Sequence, residues 1–319
     1  MLLVVFFLYG VSADVMAQDD GQQGVVHISE NVARGYVGFL ADDLLEGREA
    51  GSRGAALAAA YIESLLMEWG IVPLSDNGYR QPFRAVNENG RWVTDTATLS
   101  TSSTLMNNLL AVIPGSGAGY VVVGAHYDHL GVDTTLVGDS CYNGADDNAS
   151  GISAVLQIAR AMALSGARPL RTVVFAFWDG EEKGLLGSRY FVENCPFLSD
   201  ISAYMNFDMV GRGPDENPAR LTYFYTASHP LFGEWLREDM VSYGFSFDPH
   251  YNAWDNPAGG SDNTYFAKAG IPIVWYHTEG HADYHRPSDT ASKVDYRKLV
   301  DITRAAYLCV QRLANVPTY

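Results

Sequence analysis

The 319-residue sequence predicts an α/β fold, a three-layer sandwich around a mostly parallel mixed sheet, in a single domain. Three observations lead there. Short β-branched runs alternate with helix-periodic segments along the C-terminal two thirds of the chain. The run Thr172-Val173-Val174-Phe175-Ala176-Phe177 is almost continuously apolar, as expected of a strand covered on both faces. No linker, repeat or low-complexity tract divides the chain after its first residues, and an apolar fraction of 47% suffices for one large core.

Taken in order, Leu2 to Val11 form an apolar run followed by small residues, too short to span a bilayer and read as the core of a secretory signal peptide. Residues 1–17 are assigned to that signal, with cleavage after Ala13 or Ala17, and 18–319 to the folded domain, secreted or periplasmic. Helical spacing predicts a helix from Ser29, its candidate N-cap, to Arg48. A loop at Gly47–Ser52 leads to a second, Ala-rich helix closed at Trp69-Gly70. Residues 75–107 are polar and turn-rich, with strand-like fragments around Phe83 and Trp92.

Beyond that, strands are predicted at Asn108–Pro114, Tyr120–Ala125, Arg171–Trp178, Ala203–Asp208, Leu221–Thr226 and Ile271–Tyr276. Helices are predicted at Ala149–Leu164, Gly184–Val192, His229–Tyr243, Ser261–Ala269 and Val294–Leu313.

The net charge of −16 argues against nucleic acid and anionic membranes as partners, since both require a basic patch. After the leader no segment approaches membrane-spanning length, so no stable membrane insertion is expected. Three widely spaced cysteines, Cys141, Cys195 and Cys309, lack a CxxC pair and support neither a zinc–thiolate site nor a disulfide framework. One disulfide with a free thiol and three buried thiols both stay open.

The chemistry concentrates where predicted strands end: His126, Asp147 in the turn Gly144–Gly151, Glu181-Glu182, Asp208 and His285. Ligands gathering outside the carboxyl ends of strands is the rule for open α/β sheets. An aspartate after a strand is by itself usually a cap or turn residue, and a Glu pair usually a solvated face; their joint occurrence in one register is the signal. Hard oxygen and imidazole donors suit divalent metal, zinc foremost. Two ions roughly 3.5–4 Å apart require a bridging carboxylate, for which Asp147 is the natural candidate. His126 with Asp208, and Glu182 with His285, then complete one ion each. Glu181 is left unligated and is expected to act as general base on a metal-bridging water, the nucleophile. Asp128, two residues from His126, is expected to fix that imidazole's tautomer through its carboxylate.

These residues carry a family resemblance. Ala125-His126-Tyr127-Asp128, Gly144 to Gly151, Asp179-Gly180-Glu181-Glu182 with Gly184-Leu185-Leu186-Gly187-Ser188, Asn206-Phe207-Asp208-Met209 and Asp283 to Thr290 resemble, in order, the motifs of the zinc aminopeptidases typified by bacterial leucyl aminopeptidase, metallopeptidase family 28. Glu46-Gly47-Arg48 with Gly51 resembles the N-terminal region of its secreted bacterial members. The resemblance implies a phosphorylase/hydrolase-like fold and two zinc ions. It also implies a peptide substrate with a free N-terminus, and the same assignment of ligands and base. Two departures stand out: residues 81–107 are too few for an inserted protease-associated domain, and Ser261-Asp262-Asn263 stands where Ser-Asp-His is common. His281 and Asp283 resemble a motif common in secreted members and are candidates to line the site, whereas for His129 and His277 a purely structural role stands beside one near the ligands. Tyr251 and Trp254 are pocket candidates of low rank. The competing enzyme reading is a single-zinc glutaminyl cyclase of the same fold. A carboxypeptidase would need a basic clamp from Arg212 or Arg286, and a non-catalytic receptor domain would be expected to have lost ligands.

Overall fold

The computed structural model describes residues 23–95, 103–255 and 260–319. The predicted leader lies outside them. The strands are β1 (Val72–Pro73), β2 (Arg80–Glu88), β3 (Arg91–Thr94), β4 (Thr104–Ile113), β5 (Tyr120–His126), β6 (Thr172–Trp178), β7 (Ile201–Phe207), β8 (Arg220–Tyr225), β9 (Asp248–Ala253) and β10 (Ile273–His277). They form one mixed sheet in the order β3-β2-β4-β6-β5-β7-β10-β8-β9, with β1 paired to β4. Its centre, β6-β5-β7-β10, is parallel, and antiparallel pairs flank it. The predicted α/β class holds.

The longer helices are α1 (Glu30–Leu40), α2 (Arg53–Glu68), α3 (Gly151–Leu164), α4 (Leu186–Asn194), α5 (Leu231–Tyr243), α6 (Asn263–Lys268) and α7 (Tyr296–Asn315). Alternation along the central strands creates the three layers. Val121, Val123, Phe175 and Phe177 face one core with α1, α2, α3, α5 and α7, while Val122, Val174 and Trp178 face the other, with Phe191 of α4 and Phe266 of α6. Parallel pairing brings the carboxyl ends level: His126 sits beside Trp178, and Phe207 beside Tyr276. Every turn leaving that edge therefore opens on the same cleft.

Three expectations are corrected. The first helix stops at Leu40, where Asp42 turns extended (φ −79°, ψ 142°) and its side chain accepts the Leu44 N–H at 2.9 Å. This starts a 3-10 turn, Asp43–Arg48, in which Glu46, Gly47 and Arg48 take left-handed φ values of 50°, 64° and 48°. Ser29 does occupy the N-cap position, but its side chain makes no cap bond and its N–H donates to Gln157 Oε1 at 3.0 Å. The region around Phe83 and Trp92 forms a full hairpin, β2–β3, continued by β4 from Thr104, and β9 has no counterpart among the predicted strands. The second helix behaves as read, with Ser52 Oγ accepting the Ala55 N–H at 3.2 Å. All three cysteines are free thiols.

Candidate active site

His126 ends β5, Glu181 and Glu182 follow β6, Asp208 follows β7, His285 lies in the loop after β10, and Asp147 lies in the turn entering α3. The structure brings all six to one cavity of about 280 Å³, lined also by Met209, Trp275, His277 and Tyr284. The turn that carries Asp147 demands its glycine. Gly144 has φ 55°, and a Cβ there would lie 2.1 Å from the Asp147 carbonyl oxygen and 2.5 Å from the His129 ring. Asp289 accepts the Asp146 N–H at 3.0 Å and the Asp147 N–H at 3.1 Å. The Asn148 amide donates to Phe207 O at 2.9 Å and accepts from Met209 N–H at 3.2 Å, tying the turn to the end of β7.

The two oxygens of Asp147 divide between two imidazoles: Oδ1 is 3.4 Å from His126 Nε2, and Oδ2 is 3.1 Å from His285 Nε2. His126 Nε2 also lies 3.7 Å from Asp208 Oδ1, and His285 Nε2 lies 3.4 Å from Glu182 Oε2. One donor atom each from His126, Asp147 and Asp208 falls within 4.8 Å of the others, as do those of His129, Asp147 and Glu182. Four cavity-lining carboxylates against three lining imidazoles, of which only His126 and His285 face them, leave an excess of negative charge that a divalent cation would offset. The donor set, imidazole and carboxylate without thiolate, fits zinc.

The electrostatics follow. Burial opposes charge on His126, yet Glu181, Asp147 and Asp208 carry its imidazolium well above the usual range. Against burial, contacts with Asp147 and Glu182 push His285 up to about 10. Burial raises the Glu181 carboxyl well above the ordinary carboxylate value; His126 opposes this and Asp208, Asp262 and Glu182 add to it. For Asp147 burial is outweighed by His126 and His285, which hold it well below that value.

Asp128 departs from expectation. Its carboxylate is 3.8 Å from His126 Nδ1, beyond hydrogen-bond reach, and the imidazole instead meets the Asp128 main-chain oxygen at 3.2 Å. The carboxylate accepts the N–H groups of Glu181 at 3.0 Å and Glu182 at 3.3 Å.

A model of peptidase family M28 matches residues 108–310. The chain belongs to peptidase family M28. It is 31% identical over 205 residues to leupeptin-inactivating enzyme 1 of Streptomyces exfoliatus, a match covering 63% of this chain and 42% of that protein. The chain spans about half the length, or less, of the curated relatives it matches. Among solved structures it is similar to the Legionella pneumophila LapA aminopeptidase, with a TM-score of 0.71 and 19% identity over 99% of this chain and 80% of that one. It is likewise similar to a Fimbriiglobus ruber glutaminyl cyclase, with a TM-score of 0.70 and 19% identity over 89% of this chain and 95% of that one. At these identities the likeness is one of fold, and it does not choose between the two chemistries.

Around the M28 site lie residues the sequence left aside. His129 is buried, with Nδ1 2.7 Å from Glu182 Oε1. His281 does not line the cavity: its Nε2 lies 3.1 Å from Asp146 Oδ2, both side chains being buried behind the turn. His277 does line it, held by Nδ1 at 2.7 Å from the Asp208 carbonyl. Tyr251 and Trp254 sit elsewhere, Tyr251 beneath the Arg237 guanidinium and Trp254 against Phe224. Asp289 and Asn148 were inside recognised motifs, but only their partners in the fold reveal what they hold.

Proposed function

We propose that this protein is a di-zinc aminopeptidase that removes N-terminal residues from peptides outside the cytoplasm. The observation that supports it best is the divided carboxylate of Asp147, whose two oxygens face different imidazoles. In this reading Asp147 would be shared between two ions, of which His126 and Asp208 would hold one and Glu182 and His285 the other. A zinc pair held there would supply Lewis-acid polarisation of the scissile carbonyl and a lowered pKa for water.

Glu181 lines the same cavity and has no ligand place in this set. Its carboxylate takes the proton of the attacking water and returns it to the leaving amine. Positive charge placed beside Asp208 and Glu182 would bring its raised pKa back toward the ionised form that a base requires. Asp128 keeps Glu181 and Glu182 oriented through their N–H groups.

The cavity volume suits one residue rather than an extended chain, and Met209, Trp275 and Tyr284 offer an uncharged side chain apolar contact. Neither Arg nor Lys is among the described residues lining the cavity, and Arg212 is engaged by Asp283 at 2.5 Å, which speaks against a clamp for a C-terminal carboxylate. The same reading takes residues 1–17 as an export signal and places the mature chain in the periplasm or medium. Five ligand-type side chains around two imidazole poles favour two ions over the single zinc of the cyclase reading.

The test is zinc stoichiometry together with a panel of N-terminal aminoacyl reporters, an N-blocked control and a chelator control. Close to two zinc ions per chain and cleavage confined to free N-termini are expected. One zinc with cyclisation of N-terminal glutamine would establish the rival, and hydrolysis of the blocked compound would overturn the aminopeptidase reading.

A further inference from the structure

The ligand-bearing loops are braced by a segment that precedes the family-matched region. The Asp43–Arg48 turn lies against the chain leaving β5: Arg48 O accepts the His129 N–H and Gly47 O accepts the Gly131 N–H, each at 3.0 Å. Glycines permit the approach. A Cβ on Gly47 would lie 2.2 Å from Gly131 O, and one on Gly54 would lie 1.7 Å from Leu45 O.

Arg48 itself is 1% exposed. Its guanidinium meets main-chain carbonyls: Nε donates to Tyr127 O at 2.9 Å, Nη1 to Asn143 O at 2.7 Å and to Leu40 O, and Nη2 to Gly144 O at 3.0 Å. Tyr127 lies between His126 and Asp128, while Asn143 and Gly144 open the turn that carries Asp147. One planar cation therefore spans both backbones from which metal-type donors project. Burial pulls its pKa down to about 10, and Asp147, Asp128 and Asp289 oppose that fall, so it is charged at neutral pH.

We propose that Arg48 is a positioning residue of the metal centre, fixing the spacing of His126 and Asp147 by clamping the main chain beside each. This rests on the two-ion reading above. A clamp and a bare charge act on metal binding with opposite signs. Acting only as a charge, Arg48 repels cations, and its removal would tighten metal binding. Acting as a clamp, it holds the donors in place, and its removal weakens binding. Lysine would keep the charge but cannot span the same acceptors.

The experiment compares wild type, R48K, R48M and, as a control for loss of a half-buried cation paired with a buried carboxylate, R312M, which breaks the Arg312–Asp239 pair on α7 and α5. Each protein is stripped of metal, its thermal midpoint and circular dichroism are recorded, and zinc is titrated against a competing fluorescent chelator. Cobalt absorption then reports donor geometry. Both Arg48 variants should bind zinc roughly ten- to a hundredfold more weakly, with altered cobalt spectra. Their metal-free stability should fall no further than that of R312M, which should keep wild-type zinc affinity. Equal or tighter binding by R48M, or wild-type binding by R48K, would overturn the clamp. So would Arg48 variants that stay unfolded in excess zinc where R312M folds, since Arg48 would then be a general brace. If wild type itself takes up no zinc, the two-ion reading is what fails.

Discussion

Asp128→Asn separates two ways in which this carboxylate can serve the site. The side chain is fully buried and accepts N–H groups from Glu181 at 3.0 Å and Glu182 at 3.3 Å, while the His126 Nδ1 it was expected to orient is 3.8 Å away. Asparagine preserves the shape but turns an NH₂ toward one of those two donors. Losing a hydrogen bond to a charged acceptor, with an N–H left buried, costs about 1.5–3 kcal/mol. In an equilibrium or rate constant that is roughly 10- to 150-fold. The loss should fall on the metal held by Glu182 and on proton transfer by Glu181, lowering zinc affinity and kcat together. Metal-free stability should change less, because burial drives the Asp128 carboxyl well above its ordinary value, so the site already favours an uncharged group there. Calorimetric zinc titration and turnover of an aminoacyl reporter give the two numbers. A double-mutant cycle gives the route: on a Glu182→Ala background Asp128→Asn should add little to the loss of zinc, whereas on a His126→Ala background it should keep its full effect. Zinc affinity and kcat within twofold of wild type would refute the reasoning, and the reverse pattern in the cycle would return Asp128 to His126.

Glu181→Gln should keep both zinc ions and lower kcat by about 100- to 10,000-fold, because only the proton carrier is lost; near-normal turnover would remove Glu181 from that role. Zinc binding should release protons and strengthen as pH rises through the neutral range. His285, raised to about 10, is protonated in the metal-free protein and must surrender its proton to ligate. Calorimetry in two buffers of different ionisation enthalpy measures that release, and a pH-independent affinity would contradict it.

The strand ends were legible because both faces of the central strands are covered. Tyr120–His126 and Thr172–Trp178 read as apolar runs, and whatever polar residue follows such a run must emerge at the sheet's edge. His126, Glu181, Glu182 and Asp208 could be placed from that logic, Asp147 from its glycine-bounded turn before a helix, and His285 from the loop after the last central strand. What sequence distance hid were polar contacts between remote segments. Ser29 has a capping residue's identity, but its backbone answers to Gln157, 128 positions away. Asp128 stands next to His126 in sequence, which suggested a local partner, yet the N–H groups it accepts lie 53 and 54 positions on. The helix expected to run through Arg48 was periodic in hydrophobicity. The backbone leaves the helix at Leu40, where Asp42 turns extended and accepts the Leu44 N–H, and Gly47 further on passes within contact of Gly131, an approach that hydrophobic periodicity does not show.

The placement of Asp147 shows how little of the site's order is local. Its turn is held by Asp289 from 142 positions downstream, by Asn148 reaching the end of β7, and by Arg48 from 96 positions upstream of the Gly144 carbonyl it meets. Each of these contacts is with main chain, so they fix where the backbone runs while leaving the Asp147 carboxylate free to face both imidazoles. The division is a physical necessity. A side chain bonded into the scaffold would lose oxygens from the cavity, whereas Asp128, Asp146 and Asp289, which do bond into it, contribute none to the cavity lining. Asp128 and Asp289, satisfied by backbone N–H groups, build the frame, and Asp146 joins them by accepting the Gly211 N–H while facing His281 behind the turn. The carboxylates that face His126 and His285 inside the cavity are the ones a metal could draw on.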